Sequence, residues 1–479
     1  MTESKTSGKA LEKITNILNQ NFGWMYLVIS LFLVIVSFVV LFSKFADTKI
    51  GGEDAKPMLS TRNWLSIVIC TTIAAGLIFW GVSEPISHFV NPPDFLNIKA
   101  QSREASLFSL STMLLHWTIT PYAIYCVPAL MFAIAVYNQK KPFSFSSCIS
   151  DIIKGVKGKN ISSLIDSICV FSTVMGLTAS LGQGILSVAG GLEKSINLNS
   201  SEGLLIIIGV CIVVVFTISA CSGVLKGIKW ISNINLVFLM GLMIVVFLLG
   251  PTTYIIQISL ESMGVYVDNF FTRSLMLGAG SGSDWSYYWT ISTFANWISW
   301  APITGMFLGK IAYGQTVRRF ICINLIATSV TAGVWVLAFG GASIFAQING
   351  ADIFGCITEN GMESGIYELL KLLPFGKILI PVLCFTVFLS FVTAADSTTN
   401  ALGDLCCKTK NENSRTLLIV KIIWGVLIGG MAILLVNGEG IAGIKLISTI
   451  GGFPAAILLF LSGIALLKTM LDYRKRMKK

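Results

Sequence analysis

The chain has 479 residues, 54% hydrophobic and only 12% charged, with a mean hydropathy of +0.78. Soluble domains carry about 25% charged residues, so this chain has too little charge to cover a water-facing surface and is an integral membrane protein. Its formal net charge of +10 does not indicate nucleic acid, because the basic residues stand in short loops between apolar runs, the pattern of membrane orientation.

A helix needs about 20 apolar residues to cross the hydrocarbon, and continuous runs of that length exclude an alternating β-barrel pattern. The polar first 22 residues read as carrying no cleavable signal peptide. Eleven runs follow, at 23–44, 62–90, 107–137, 161–190, 202–221, 228–250, 286–312, 317–346, 374–403, 414–436 and 446–468. With the C-terminus placed inside, 24 of the 34 basic residues fall on the inner side, among them Lys140, Lys141, Lys154, Lys157 and Lys159. That bias predicts a cytoplasmic C-terminus. Between 251 and 285 the apolar residues Ile256, Leu260, Met263 and Val267 are spaced along one helix face, which suits an interfacial helix on the membrane; an ordinary external loop is the alternative.

This segment divides the rest of the chain. Residues 1–61 form an N-terminal segment with one span, 62–250 a first five-helix unit and 286–468 a second. Residues 469–479 form a short basic tail suited to anionic lipid. Five plus five is the arrangement of an inverted repeat. The expected fold is thus an all-α polytopic bundle with one helix before the repeats.

Soluble-type catalytic constellations are absent. With two histidines, His88 and His116, and no H-E-x-x-H, P-loop or G-x-S-x-G, the chain reads as neither an enzyme nor a nucleotide user. The eleven Cys lie mostly singly in apolar stretches, so neither a disulfide framework nor a metal site is expected. His116 reads as a packed or pore-facing polar residue. Of the intramembrane acids, Glu84 and Asp166 stand at span ends and divide between helix-end structure and function.

The aromatic residues carry more. H-W-T-I-T-P-Y-A-I-Y places Trp117, Tyr122 and Tyr125 inside one span, and W-T-I-S-T-F-A-N-W-I-S-W-A-P places Trp289, Trp297 and Trp300 in another. Interface aromatics sit at span ends, whereas these lie well inside, where binding competes with packing. A trimethylammonium group has no N–H to donate, so aromatic faces are what can hold it, at about 0.5–2 kcal/mol per ring. A substrate carboxylate would favour the positive end of a broken helix. The small-residue patch Thr72-Ile73-Ala74-Ala75-Gly76 is the candidate, although small residues also serve helix packing.

Together these segments resemble the betaine/carnitine/choline transporter family. N-F-G-W-M-Y-L at 21–27, G-G-E-D-A-K-P at 51–57, F-W-G-V-S-E-P at 79–85, W-I-S-W-A-P-I-T-G-M-F at 297–307 and F-V-T-A-A-D-S at 391–397 carry the resemblance. It implies a LeuT-type core working by alternating access in the plasma membrane, with homotrimers in contact through the interfacial helix. Trp117, Tyr122, Tyr125 and Trp297 fall on the family's aromatic box, Trp300 on a neighbouring gate, and Phe79 on the aromatic that closes over the substrate. The implied substrate is a small quaternary ammonium compound, namely glycine betaine, carnitine, butyrobetaine or choline. Another methylamine or amino-acid-like substrate, or a channel, is the alternative. No cofactor is implied, and Na⁺ enters only as a coupling ion, with Thr72 and Thr393 as its candidate ligands.

Four departures from the family pattern stand out. The family's usual first helix has no counterpart, which accounts for the odd span count. Thr72 to Gly76 replaces a glycine-rich stretch, and Thr393-Ala394 stands where sodium-coupled members carry Thr-Ser, leaving Na⁺ symport and substrate exchange both open. Asn296 replaces the first Trp of a usual pair, which gives the box a polar edge. The short tail points to nutrient uptake or exchange rather than osmosensing.

Overall fold

The computed structural model describes residues 2–153, 159–196, 198, 201–221, 227–407 and 415–477; the side chains of 2–10, 74, 75, 159, 220, 221, 227, 228, 439, 476 and 477 lie outside the described set. The predicted positions Lys154, Lys157 and the side chain of Lys159 therefore fall outside it. Helices of eight residues or more are numbered here in chain order: α1 Thr2–Leu41, α2 Thr61–Thr72, α3 Ala74–Val90, α4 Arg103–Trp117, α5 Ile119–Ala133, α6 Lys159–Ile196, α7 Glu202–Cys221, α8 Gly227–Leu249 and α9 Thr252–Asp268. They continue with α10 Ser292–Lys310, α11 Thr328–Ile348, α12 Ile353–Asn360, α13 Ser364–Leu372, α14 Gly376–Cys406 and α15 Arg415–Met477. Among the described residues there is no β-strand, only an isolated bridge between Lys49 and Thr316.

Nine described helices are long and apolar enough to cross a membrane, and ten when α2 and α3, bent by 52° at their junction, count as one broken span. The expected eleventh, 286–312, is helical from Tyr287 to Lys310 but is not among those ten. Its Trp, Tyr, Ser, Thr and Asn lower its hydropathy, and the bundle rather than lipid surrounds it: Phe294, Ala295, Trp297, Ile298 and Trp300 are all buried. The first span also starts earlier than its apolar core suggests. The candidate span Leu11–Leu41 is one continuous helix, because the polar residues before Asn21 do not interrupt helical hydrogen bonding.

Burial sorts the helices into layers. The pair α4–α5 is 89% buried across its most apolar stretch, whereas α7, α8 and the first half of α15 are each 33% buried. Their outward apolar residues, such as Ile207, Ile218, Val237 and Leu434, form the large exposed apolar surface that lipid covers. Around the central pair, α10 packs against α5, α6 and α15, and α14 packs against α2, α3 and α6.

Three breaks position the interior. Ile73 separates α2 from α3 with its amide bonded back to the Ile69 carbonyl at 2.8 Å. Thr118 (φ −119°, ψ −114°) separates α4 from α5. Gly440 (φ 56°, ψ −141°) divides α15; its positive φ suits glycine, since a Cβ there is disfavoured. The helix α9 lies across α4 and α11. Its Ile255 and Ile258 are buried, and the stripe Ile256, Leu260, Met263 and Val267 is exposed, as an interfacial helix requires.

Candidate functional site

The break at Thr118 brings together side chains that a straight helix would separate. Trp117 ends α4, while Tyr122 and Tyr125 project one turn apart from the start of α5. Pro121 is tolerated in this first turn because its missing N–H has no intrahelical partner there. From α10, Trp297 reaches into the group. Its ring centroid lies 5.6 Å from that of Trp117, 5.8 Å from Tyr122 and 5.3 Å from Tyr125, all edge-on, within the favoured range for aromatic pairs.

Trp300, one turn further along, donates its Nε1–H to Ser180 Oγ at 3.1 Å. The indoles and Tyr125 border a cavity of about 40 Å³ whose far wall is Thr71, Thr72, Ile73 and Gly76. Asn296 and Ala394 also border it. A cavity this size holds two or three waters, so a substrate enters only if the rings or the broken helix move.

Some buried polar atoms lie at or next to this cavity. Trp297 Nε1, Tyr122 Oη and Thr71 Oγ1 are buried and have no hydrogen-bond partner among the described residues. A buried donor left unpaired costs about 1–3 kcal/mol, and a polar ligand or water that pairs with it removes that cost. The second aromatic layer is held by Glu84. Its Oε2 accepts from Trp117 Nε1 at 2.8 Å and its Oε1 from His116 Nδ1 at 2.6 Å. His116 Nε2 in turn faces Thr290 Oγ1 at 3.0 Å, and His88 Nε2 lies 3.4 Å from Glu84 Oε1. All are buried.

One ligand atom from each of Glu84, His88 and His116 lies within 4.8 Å of the others, but the short His116–Glu84 contact is a hydrogen bond. Through Glu84 the cluster is hydrogen-bonded to the Trp117 ring.

Of the residues expected from the sequence, Trp117, Tyr125, Trp297, Trp300, Asn296, Thr72, Ile73 and Gly76 meet at one cavity. Tyr122 touches Trp297 from behind. Phe79 packs edge-on against Trp80, 4.8 Å between centroids, and does not line this cavity. The side chains of Ala74 and Ala75 lie outside the described residues. Thr72 Oγ1 donates to Val68 O at 2.8 Å and Thr393 Oγ1 to Ser390 O at 2.9 Å. Each hydroxyl keeps a lone pair that can face a cation, and Ala394 brings no side-chain oxygen.

Sequence reasoning did not assign roles to Ser180, Trp80, Lys445 or the Glu84–His116 link. The visible signal for the last was an acid and a histidine inside apolar runs, 32 residues apart.

A helical membrane bundle with a broken helix facing a central aromatic cavity is the build of a secondary transporter. The chain belongs to the BCCT, betaine/carnitine/choline family transporter, whose pattern it matches over residues 1–475. It is similar to an ectoine/hydroxyectoine transporter of Virgibacillus pantothenticus, 32% identical over 95% of this chain and 89% of that one. It is also similar to the glycine betaine transporter OpuD of Bacillus subtilis (strain 168), 30% identical over 96% of this chain and 89% of the other. A high-affinity choline transport protein of Escherichia coli (strain K12) is 27% identical, over 95% and 68% respectively. In fold the chain resembles a Na⁺-coupled sialic acid symporter, with a TM-score of 0.53, 14% identity and coverage of 92% of this chain and 87% of that one.

Proposed function

We propose that the protein moves a small zwitterionic or cationic osmolyte of the betaine type by alternating access, with the cationic end held between Trp117, Tyr125, Trp297 and Trp300. The observation that carries this reading is the convergence of these four rings on one cavity beside the α2–α3 break. Each ring face offers about 0.5–2 kcal/mol to a cation. On the opposite wall, the start of α3 gives the positive end of a helix to a carboxylate. Glycine betaine, choline and ectoine, the substrates named for the relatives, all carry a dispersed positive charge.

Two coupling modes compete at Thr72 and Thr393. Na⁺ symport uses their free lone pairs together with backbone carbonyls; substrate exchange needs neither. In the same reading α9 supplies the contact surface of a homotrimer, the units 62–250 and 286–468 move against each other, and the C-terminus is cytoplasmic.

The experiment is uptake of labelled glycine betaine, choline or ectoine into proteoliposomes, run with and without a Na⁺ gradient and with and without internal substrate. Saturable uptake of at least one of the three supports the transporter. Uptake indifferent to Na⁺ that requires internal substrate establishes exchange. A non-saturating conductance overturns the reading.

A further inference from the structure

Three cavities lie in series, and Lys445 stands where two of them meet. The first, of about 300 Å³, is bordered by the exposed polar residues Glu12, Asn16 and Asp284 and by Lys445. The second, of about 30 Å³, is bordered by Lys445, Glu84, Trp117, Asn296 and Trp297. The last three residues also border the aromatic cavity. A path from the exposed polar end to the box therefore passes Lys445.

The Lys445 ammonium sits in an aromatic cage of its own. Its Nζ is 3.4 Å from the ring centroid of Tyr288, 4.3 Å from Trp289 and 5.1 Å from Trp80. It donates to the Tyr288 carbonyl at 3.0 Å. Among the described residues no carboxylate lies within 4 Å of it. An ammonium has three donors, so this one keeps capacity for an anionic partner. Glu84 borders the same cavity, with its oxygens occupied by Trp117 and His116. The cavity thus presents a positive and a negative group held apart.

We propose that Lys445 is a specificity-determining residue that admits zwitterions and rejects cations lacking a carboxylate. The inference rests on the transporter reading and narrows its substrate class. On its way to the aromatic box, a zwitterion places its carboxylate on Lys445 Nζ and its cationic end toward Glu84, Trp117 and Trp297. Glycine betaine and ectoine carry both charges. Choline carries only the cation, so it meets Lys445 as a like charge in a low-dielectric passage without the compensating contact. The fixed ammonium also occupies the ring faces that a bare quaternary ammonium would use, so discrimination comes from repulsion as well as attraction.

The test compares wild type, Lys445→Gln and Lys445→Arg. Labelled glycine betaine uptake into proteoliposomes is competed with unlabelled glycine betaine, ectoine and choline. In wild type, choline competes at least about tenfold more weakly than either zwitterion. In Lys445→Gln that preference shrinks about tenfold or more, and in Lys445→Arg it is retained.

An unchanged choline-to-betaine ratio in an active Lys445→Gln overturns the proposal while leaving the transporter reading intact. Choline competing equally with glycine betaine in wild type also overturns it. If no labelled osmolyte enters wild-type vesicles, the transporter reading fails first. Should Lys445→Gln lose uptake, the same three ligands are titrated against the tryptophan fluorescence of the purified protein. A tenfold change in the binding ratio supports the role, and an unchanged ratio overturns it.

Discussion

The hydrogen bonds at Glu84 make a specific prediction about which substitutions the interior tolerates. The Glu84 carboxylate accepts hydrogen bonds from Trp117 Nε1 at 2.8 Å and His116 Nδ1 at 2.6 Å. In the tautomer with its proton on Nδ1, His116 uses Nε2 to accept from Thr290 Oγ1, 3.0 Å away. Glu84→Ala leaves two buried N–H groups unpaired at about 1–3 kcal/mol each, so about 2–6 kcal/mol in all. Glu84→Gln is milder. Its amide oxygen still accepts from Trp117, and its NH₂ group faces His116 Nδ1, so the ring shifts its proton to Nε2 and donates to Thr290 instead. What is lost is the charge assistance, about 1–2 kcal/mol.

The tautomer shift makes Thr290 count for more in the Gln background. Thr290→Val deprives Nε2 of a donor in the wild type, but in Glu84→Gln it leaves a buried N–H unpaired. The double-mutant cycle should therefore show a coupling of about 1 kcal/mol or more. Unfolding titrations of the four proteins in mixed detergent micelles measure it. Equal costs for Glu84→Ala, measured alongside, and Glu84→Gln, or a Thr290→Val cost that is the same in both backgrounds, would rule out this hydrogen-bond assignment.

Two further outcomes follow from single positions. A Cβ added at Gly76 would stand 3.0–3.1 Å from the Trp117 ring, which the Glu84 bond prevents from yielding; Gly76→Ala should therefore weaken substrate binding about tenfold, as overpacking of about 1–3 kcal/mol implies, and unchanged binding would contradict the placement of Trp117. Glu363, between α12 and α13 and outside the spans, has its carboxyl raised by burial from 4.5 to about 7. Because its folded-state value lies above the unfolded one, the folded protein holds the proton more tightly, so its contribution to stability is full below pH 4.5 and is lost as pH rises toward 7. The loss is at most about 3 kcal/mol. Thermal unfolding from pH 5 to 8 should show a decline in wild type that is reduced in Glu363→Gln, and parallel profiles would contradict it.

Much of the site is legible in the sequence because its chemistry is carried by residue types that lipid-facing helices rarely place mid-span. Trp117, Tyr125, Trp297 and Trp300 stood out on that ground, and they meet at one cavity. The apolar stripe of α9 was readable from helical spacing alone. What escaped is long-range. Nothing local marks Glu84 as the partner of Trp117, since that pairing depends on how α3 lies against α4.

Lys445 escaped for a different reason. An apolar run counted from 446 leaves it in a loop, whereas the turn at Gly440 starts the helix earlier and carries Lys445 inward. The helix at 292–310 shows the limit of hydropathy, because a buried polar-aromatic helix does not need to be apolar enough for lipid. The Phe79 ring packs against its neighbour Trp80.

In the proposed function, rings around Trp297 hold a substrate by its dispersed positive charge. This is tested most directly by titrating the purified protein with glycine betaine and with the carbon isostere in which a tert-butyl group replaces trimethylammonium, in wild type, Trp297→Phe and Trp297→Ala. Wild type should prefer the charged ligand by about tenfold or more, Phe should reduce this preference and Ala should reduce it further, by about 2- to 30-fold, the share of one ring at about 0.5–2 kcal/mol. Equal binding of the two ligands by wild type, or a preference unchanged in Trp297→Ala, would contradict it.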